Sequence, residues 1–270
     1  MKSCLNRWLK ISLLIVALGF IGILTAEDSG TSIKGELSSD ITFGDNVSFT
    51  TPYTGLTVYG EGWEVSSNLT DGMVNIEEAK FSWSVTDDVT LTFGKQAEPY
   101  GIAWGLHRPS NNPYISVPRE HTVYEGVGVG LSKWGANLQA LYSNADADSN
   151  NYWGARVSYT QWNTTFGLSL NSNEAQLVDV SGNQSILGIP FQTSFEYDLA
   201  AKDENDESSP TYWLRSSVSP EFAKGAFFMV GYNSDEEVSY GVGYNCSDRV
   251  YMASELSGDG DTSLRVSYIF

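Results

Sequence analysis

The chain is 270 residues long, with 33 acidic and 15 basic side chains, a formal net charge of -18 and a pI near 4.3. That balance excludes nucleic-acid binding, which needs clustered Lys and Arg against phosphates, and two cysteines exclude a disulfide scaffold or a thiolate zinc site. Mean hydropathy is -0.22, and beyond residue 24 no stretch reaches the roughly 20 apolar residues of a spanning helix.

Residues 1–26 read as a secretory signal. Lys2, Arg7 and Lys10 form a basic segment, 11–24 is an apolar run, and Thr25-Ala26 offers a small-residue cleavage site before Glu27 and Asp28. Cys4 precedes the apolar run, so it is not placed for lipidation. Removing the three basic residues takes the charge from -18 to -21 and leaves Cys246 as the single thiol of 27–270.

From Ile33 onward apolar and polar residues alternate, the signature of strands with one apolar face. The pattern predicts strands over 31–38, 40–50, 54–66, 73–86, 89–97, 122–132, 136–144 and 151–160. It continues over 164–172, 176–181, 185–199, 211–218, 226–233, 238–245, 249–257 and 262–270. Short turns, such as Asp87-Asp88 and 161–163, take turns with acidic loops such as 200–210. One connection, 97–121, is far longer. No convincing amphipathic helix is present, so the chain is all-β.

Periodicity leaves two architectures open. In a secreted β-sandwich the apolar row packs inward; in a transmembrane barrel it faces lipid while the polar row lines a wet interior. Three features favour the barrel. The polar row is rich in Gly, Ser, Thr, Asn and Gln. Tyr142, Tyr152, Tyr159, Trp162, Tyr197, Tyr212, Tyr232, Tyr244 and Tyr268 fall near predicted strand ends, where an interfacial girdle needs amphipathic rings. Leu264, Val266, Tyr268 and Phe270 alternate up to a terminal phenylalanine. The expected fold is a closed antiparallel transmembrane β-barrel of 16 strands, with 14 as the alternative count.

The run from Ser263 to Phe270 resembles the closing strand of bacterial outer-membrane barrels. Val242-Gly243-Tyr244 and Arg249-Val250-Tyr251 resemble the final hairpins of Gram-negative porins. Thr92-Phe93-Gly94-Lys95-Gln96 is similar to the segment that many porins place before a constriction loop, with Lys95 where arginine is commoner. The resemblance implies a passive pore in the bacterial outer membrane, amid its lipid and lipopolysaccharide. It also implies a homotrimer, and an assembly signal at Tyr268 and Phe270 read by the barrel-assembly machinery. With Phe270 at the periplasmic end, 97–121 becomes the outer loop between the fifth and sixth strands, which general porins fold inward.

That loop carries Pro99, Pro109, Pro113 and Pro118, with Glu98, His107, Arg108, Arg119, Glu120 and His121 as its charged or titratable groups. Loops this long are usually functional or disordered. Strand parity points Glu36, Glu78, Lys80, Arg156, Glu196, Asp198, Arg215, Glu255 and Arg265 into the lumen. The bases are expected to face carboxylates on the loop or the opposite wall, a field favouring small polar solutes; the overall acidity predicts a modest preference for cations. Catalysis would fall to His107 or His121, but neither has a nucleophile motif or paired Asp nearby, so no enzyme is expected. Asp146, Asp148 and Asn150 open a calcium-loop pattern that then fails at its sixth and twelfth places. No metal or other cofactor is implied. The readings from other classes are a non-conducting barrel serving as adhesin or anchor, and the secreted sandwich.

Overall fold

The computed structural model describes residues 31–44, 47–49, 53–70, 73–102, 122–144, 151–186, 188–199, 211–220, 222–258 and 260–270. The predicted signal and most of the long loop lie outside them. Seventeen strands follow one another: β1 (Ser32–Phe43), β2 (Val47–Phe49), β3 (Tyr53–Gly60), β4 (Trp63–Thr70), β5 (Met73–Ser84), β6 (Val89–Ala97), β7 (Val123–Lys133), β8 (Ala136–Ser143) and β9 (Tyr152–Gln161) come first. Then come β10 (Thr164–Asn171), β11 (Gln176–Ile186), β12 (Ile189–Asp198), β13 (Thr211–Val218), β14 (Ala226–Asn233), β15 (Val238–Asn245), β16 (Val250–Leu256) and β17 (Thr262–Ile269). No helix occurs among the described residues.

From β3 to β17 each strand pairs antiparallel with the next, and β1 pairs with both β3 and β17. Sixteen strands therefore close into one barrel. The short β2 is extra: it pairs with the last residues of β1, on the edge that β3 leaves free. Closure satisfies every strand edge within the ring, which a sheet in hydrocarbon requires.

The strand count agrees with the sequence reading, but two boundaries offset each other. The split expected after residue 38 does not occur, because Leu37, Ser39, Ile41 and Phe43 keep one phase along β1. The single strand expected over 54–66 is instead β3 and β4, reversed at Glu61-Gly62, where Gly62 takes φ 75°. The break expected between the strands over 176–181 and 185–199 lies further on, with β11 running to Ile186 and β12 starting at Ile189, just after Gly188 at φ 81°. Glycine adopts this left-handed region without the Cβ clash that penalises other residues.

Connections 61–62, 85–88, 134–135, 162–163, 187–188, 219–225 and 246–249 share one end of the barrel, the short-turn end. The opposite, long-loop end carries 98–122, 144–151 and 199–210 among others.

The two faces invert the usual order. On β7, Val127, Val129 and Leu131 point outward while Gly126, Gly128 and Gly130 point inward. Phe81, Trp83, Phe166 and Tyr240 are half exposed on the outer wall, whereas Glu36, Asp179, Glu196 and Glu255 are buried inside. Moving one large apolar side chain from water to hydrocarbon gains about 1.5–3 kcal/mol. A soluble sandwich would bury the first set and expose the second, so that alternative is excluded.

The seam between β1 and β17 is polar inside and aromatic outside. Directly opposed pairs bond across its inner face: Ser267 Oγ donates to Ser38 Oγ at 2.8 Å, and the Thr42 and Ser263 hydroxyls meet at 3.0 Å. Between them Arg265 grips Asp40 through Nε and Nη2, at 2.8 and 2.7 Å. Beyond the last ladder residue, Phe270 exchanges backbone hydrogen bonds with Gly35 at 2.8 and 3.0 Å, and its ring lies where a Cβ on Gly35 would collide.

Candidate functional site

All nine charges that parity points inward occupy the inner row. Glu36, Glu78, Glu196, Arg215, Glu255 and Arg265 are buried there, with Lys80, Arg156 and Asp198 partly so. Each of the four bases has a carboxylate partner on its own wall. Lys80 Nζ sits 3.0 Å from Glu78 and 3.6 Å from Glu64 on the next strand. Arg215 is 3.9 Å from Glu196 across the β12–β13 pair. Arg265 holds Asp40 across the seam. Arg156 reaches over β10 to Asp179 on β11, binding both carboxylate oxygens, with Nη2 to Oδ1 at 2.8 Å.

This departs from the expected confrontation across the lumen. The physical reason is distance. Cross-strand neighbours lie about 5 Å apart, and diagonal ones about 7–8 Å, within a side chain's reach, whereas a sixteen-stranded ring is wide enough for water. The Arg156 bridge needs one further concession. Gly167 lies beneath it on β10, and a Cβ there would strike both the guanidinium and the carboxylate.

Asp40, Glu64 and Asp179 were absent from the expected lumen charges. Asp179 alternates with Val178 and Val180, so its parity was available in the sequence. Asp40 was hidden by the false break after residue 38. Tyr152, expected in the outer girdle, points inward instead; Trp153 takes the outward place, half exposed.

The long loop's root is fixed inside the barrel. Glu98 N donates to Thr122 O at 3.0 Å, extending the β6–β7 ladder by one bond. Tyr100 N then donates to Glu98 O at 2.9 Å, and Gly101 takes φ 67°. The chain thereby leaves the wall and meets strands further round the ring. Tyr100 OH donates to Asp198 Oδ2 at 3.1 Å, Gly101 N to Ser169 Oγ at 2.9 Å, and Ile102 N to Glu196 Oε1 at 2.8 Å. The start of the root is held separately: the Tyr152 hydroxyl donates to Glu98 Oε2 at 2.5 Å, and its ring stacks on Tyr124 with centroids 3.7 Å apart. Ala97 N donates to Glu78 Oε1 at 3.0 Å.

The same wall groups thus serve twice. Glu196 faces Arg215 and accepts from the loop, while Ser169 accepts from the loop and from Arg156 at 3.3 Å. His107, Arg108, Arg119, Glu120 and His121 lie outside the described residues.

Beside this root an inner cavity of about 560 Å³ runs from Asp87 and Asp88 at the short-turn end to Glu78, Lys80, Arg156 and Glu98. Gly128 and Gly130 leave room on its β7 side, beside Ser132, and Thr90, Thr92, Gln96 and Gln139 supply uncharged polar groups. Water and hydrated solutes find partners throughout such a space, and carboxylates outnumber bases along it.

No protein-family model matches the chain, and no curated protein sequence matches it. Solved structures do. A loop-deletion variant of OmpT, an outer membrane protein of Vibrio cholerae, aligns at 13% identity with a TM-score of 0.58, covering 89% of this chain and 99% of that one. A triple mutant of the Rhodopseudomonas blastica porin aligns at 11% identity and a TM-score of 0.62, covering 89% and 100%. OmpT folded in vitro gives 10% and 0.56, covering 89% and 97%. At these identities the likeness is one of architecture: the chain has the closed sixteen-strand barrel fold found in outer-membrane proteins.

Proposed function

We propose that the protein is a porin of the bacterial outer membrane, exported by the 1–26 signal, through which small hydrophilic solutes and ions diffuse down their gradients. One observation carries the reading: a barrel apolar outside and charged inside, with the long-loop root hydrogen-bonded to inner side chains rather than projecting from the rim. In this reading 97–121 narrows the passage, and the inner-row charges from Glu36 to Arg265 line it. The short-turn end faces the periplasm. No bond is made or broken, so the protein is not an enzyme and needs no cofactor.

Two partner assignments accompany it. The first is a homotrimer of such barrels in contact through their outer walls. Tyr268 and Phe270 form the assembly signal, in surroundings of lipid and lipopolysaccharide.

The test is planar-bilayer conductance of the purified protein, together with vesicle swelling in a series of sugars of increasing size. The reading expects stepwise channels and swelling rates that fall with solute size. Vesicles that contain folded barrel yet neither conduct nor swell would instead support an adhesin or anchor.

A further inference from the structure

The inner cavity does not end at Asp88. An adjoining hollow of about 440 Å³ opens at the short-turn mouth, and the two share Asp88, Ser132 and Asn137. Ser132 and Asn137 face each other across the β7–β8 ladder in the inner row, and Thr160 on β9 lies beside them. The aromatic ring that lines this hollow is Trp134, 88% exposed, on the turn that joins β7 to β8. An indole therefore stands at the rim of the passage. Its backbone makes that placement unexpected. Trp134-Gly135 take φ 52° and 82°, a tight hairpin turn with two left-handed residues, for which Asn-Gly is the preferred pair. A tryptophan at the first place bears a steric cost that Asn or Gly would escape, and strain of this kind gathers where a side chain has a task. The next hairpin supplies a comparison: Trp162 takes φ 52° and is 84% exposed, yet lines neither hollow.

Above the indole, β8 presents two carboxamides, Asn137 and Gln139, on the same inner face. Neither side chain has a hydrogen-bond partner among the described residues, whereas the inner amide of Asn68 is engaged by Glu77 at 2.6 Å. Each carboxamide offers a donor and an acceptor together, the combination that a hydroxyl group answers. From Ala136 to Gln139 the strand spans about 10 Å, the length of a disaccharide. Charge at the rim is already balanced. Lys133 Nζ pairs with Asp88 at 2.8 Å and lies 5.0 Å from the centre of the Trp134 ring. An ammonium thus already answers the quadrupole of the ring, so a cationic solute meets like charge there, and an anionic one meets Asp87 and Asp88. A neutral ring with C–H groups on its faces and hydroxyls at its edge meets neither obstacle.

We propose that Trp134, Asn137 and Gln139 form a subsite for neutral pyranose sugars of disaccharide size at the short-turn mouth of the lumen. The indole takes the apolar face of a sugar ring, and the two carboxamides take its hydroxyls. The inference rests on the pore reading above and names a solute class for it.

Cellobiose, whose ring faces carry axial C–H groups, is the probe, and sorbitol, a hydroxyl-rich chain without a ring, is the control. Two measurements separate binding from conduction. In detergent micelles, cellobiose should shift the tryptophan emission of the folded barrel saturably. Trp134→Asn, which installs the residue that the turn favours, should abolish that shift. In planar bilayers, cellobiose added at the short-turn side should interrupt the ion current saturably. Trp134→Asn, and separately Asn137→Ala with Gln139→Ala, should raise the half-blocking concentration by about tenfold, while Trp162→Asn leaves it unchanged. Channels that cellobiose and sorbitol affect alike, with no emission shift, overturn the subsite and leave the pore. An equal loss of block in Trp162→Asn also overturns it, because the effect is then not local to the hollow. A saturable emission shift that Trp134→Asn abolishes, in a protein that forms no channels, upholds the subsite and overturns the pore reading instead.

Discussion

Arg156, Gly167 and Asp179 show how single positions shape the lumen. Asp179 is fully buried and Arg156 nearly so, and the bridge between them exists only because the intervening strand carries no side chain at Gly167. Removing one partner of a buried pair leaves an uncompensated charge and typically costs about 3–5 kcal/mol. Arg156→Ala should therefore lower the unfolding free energy of the vesicle-inserted barrel, read from its denaturant titration, by an amount in that range. A loss of less than about 1 kcal/mol, the scale of an exposed pair, would mean that water already solvates Asp179. Alternation in the sequence was enough to send Glu36, Glu196 and Arg215 inward, since side-chain direction follows from parity alone. Their partners were not legible. Pairing depends on register between strands, and no local pattern prints that register.

At the scale of elements, strands were read more securely than the turns between them. Runs such as Phe191 to Tyr197 announce themselves by period. The reversals at Gly62 and Gly188 depended on one residue each, in stretches that otherwise keep alternating. An inward fold of 97–121 was an expectation from resemblance; for the root at 98–102 the structure adds the attachment, which the sequence withheld. Three hydrogen bonds, from Tyr100, Gly101 and Ile102, tie its root to β10 and β12. Each contributes on the order of 1 kcal/mol, so losing two should free the segment without unfolding the barrel. Tyr100→Phe combined with Ser169→Ala should give noisier single-channel currents and faster protease cleavage within 103–121. Unaltered current noise and cleavage rate would show that the loop is held elsewhere.

For the whole molecule the decisive quantity is where charge lies. Lys80, Arg156, Arg215 and Arg265 are each matched to a wall carboxylate, leaving Glu98, Asp87 and other acids to set the sign of the field along the cavity. Rings of carboxylates favour cations in a narrow aqueous path. In a potassium chloride gradient the reversal potential should report cation preference, and Glu78→Gln with Glu98→Gln should lower the permeability ratio by roughly twofold. A native channel selective for chloride would contradict this placement of charge. The unremarkable hydropathy of the sequence also makes sense at this scale: it averages two rows that meet opposite solvents, which only the spatial arrangement separates.

The bonds between Gly35 and Phe270 carry a consequence for how freely the chain order is chosen. In a ring of neighbours, no strand is first except by where the backbone happens to be cut. Here the cut lies at the short-turn end, between two strands as fully laddered as any others. A brief tether across that gap, with a new opening at another hairpin of the same end, would preserve every pairing in the circle. The barrel's pairing is thus cyclic though its chain is linear, and what singles out one strand as the last is the terminal aromatic pair proposed as the assembly signal, not the ladder itself.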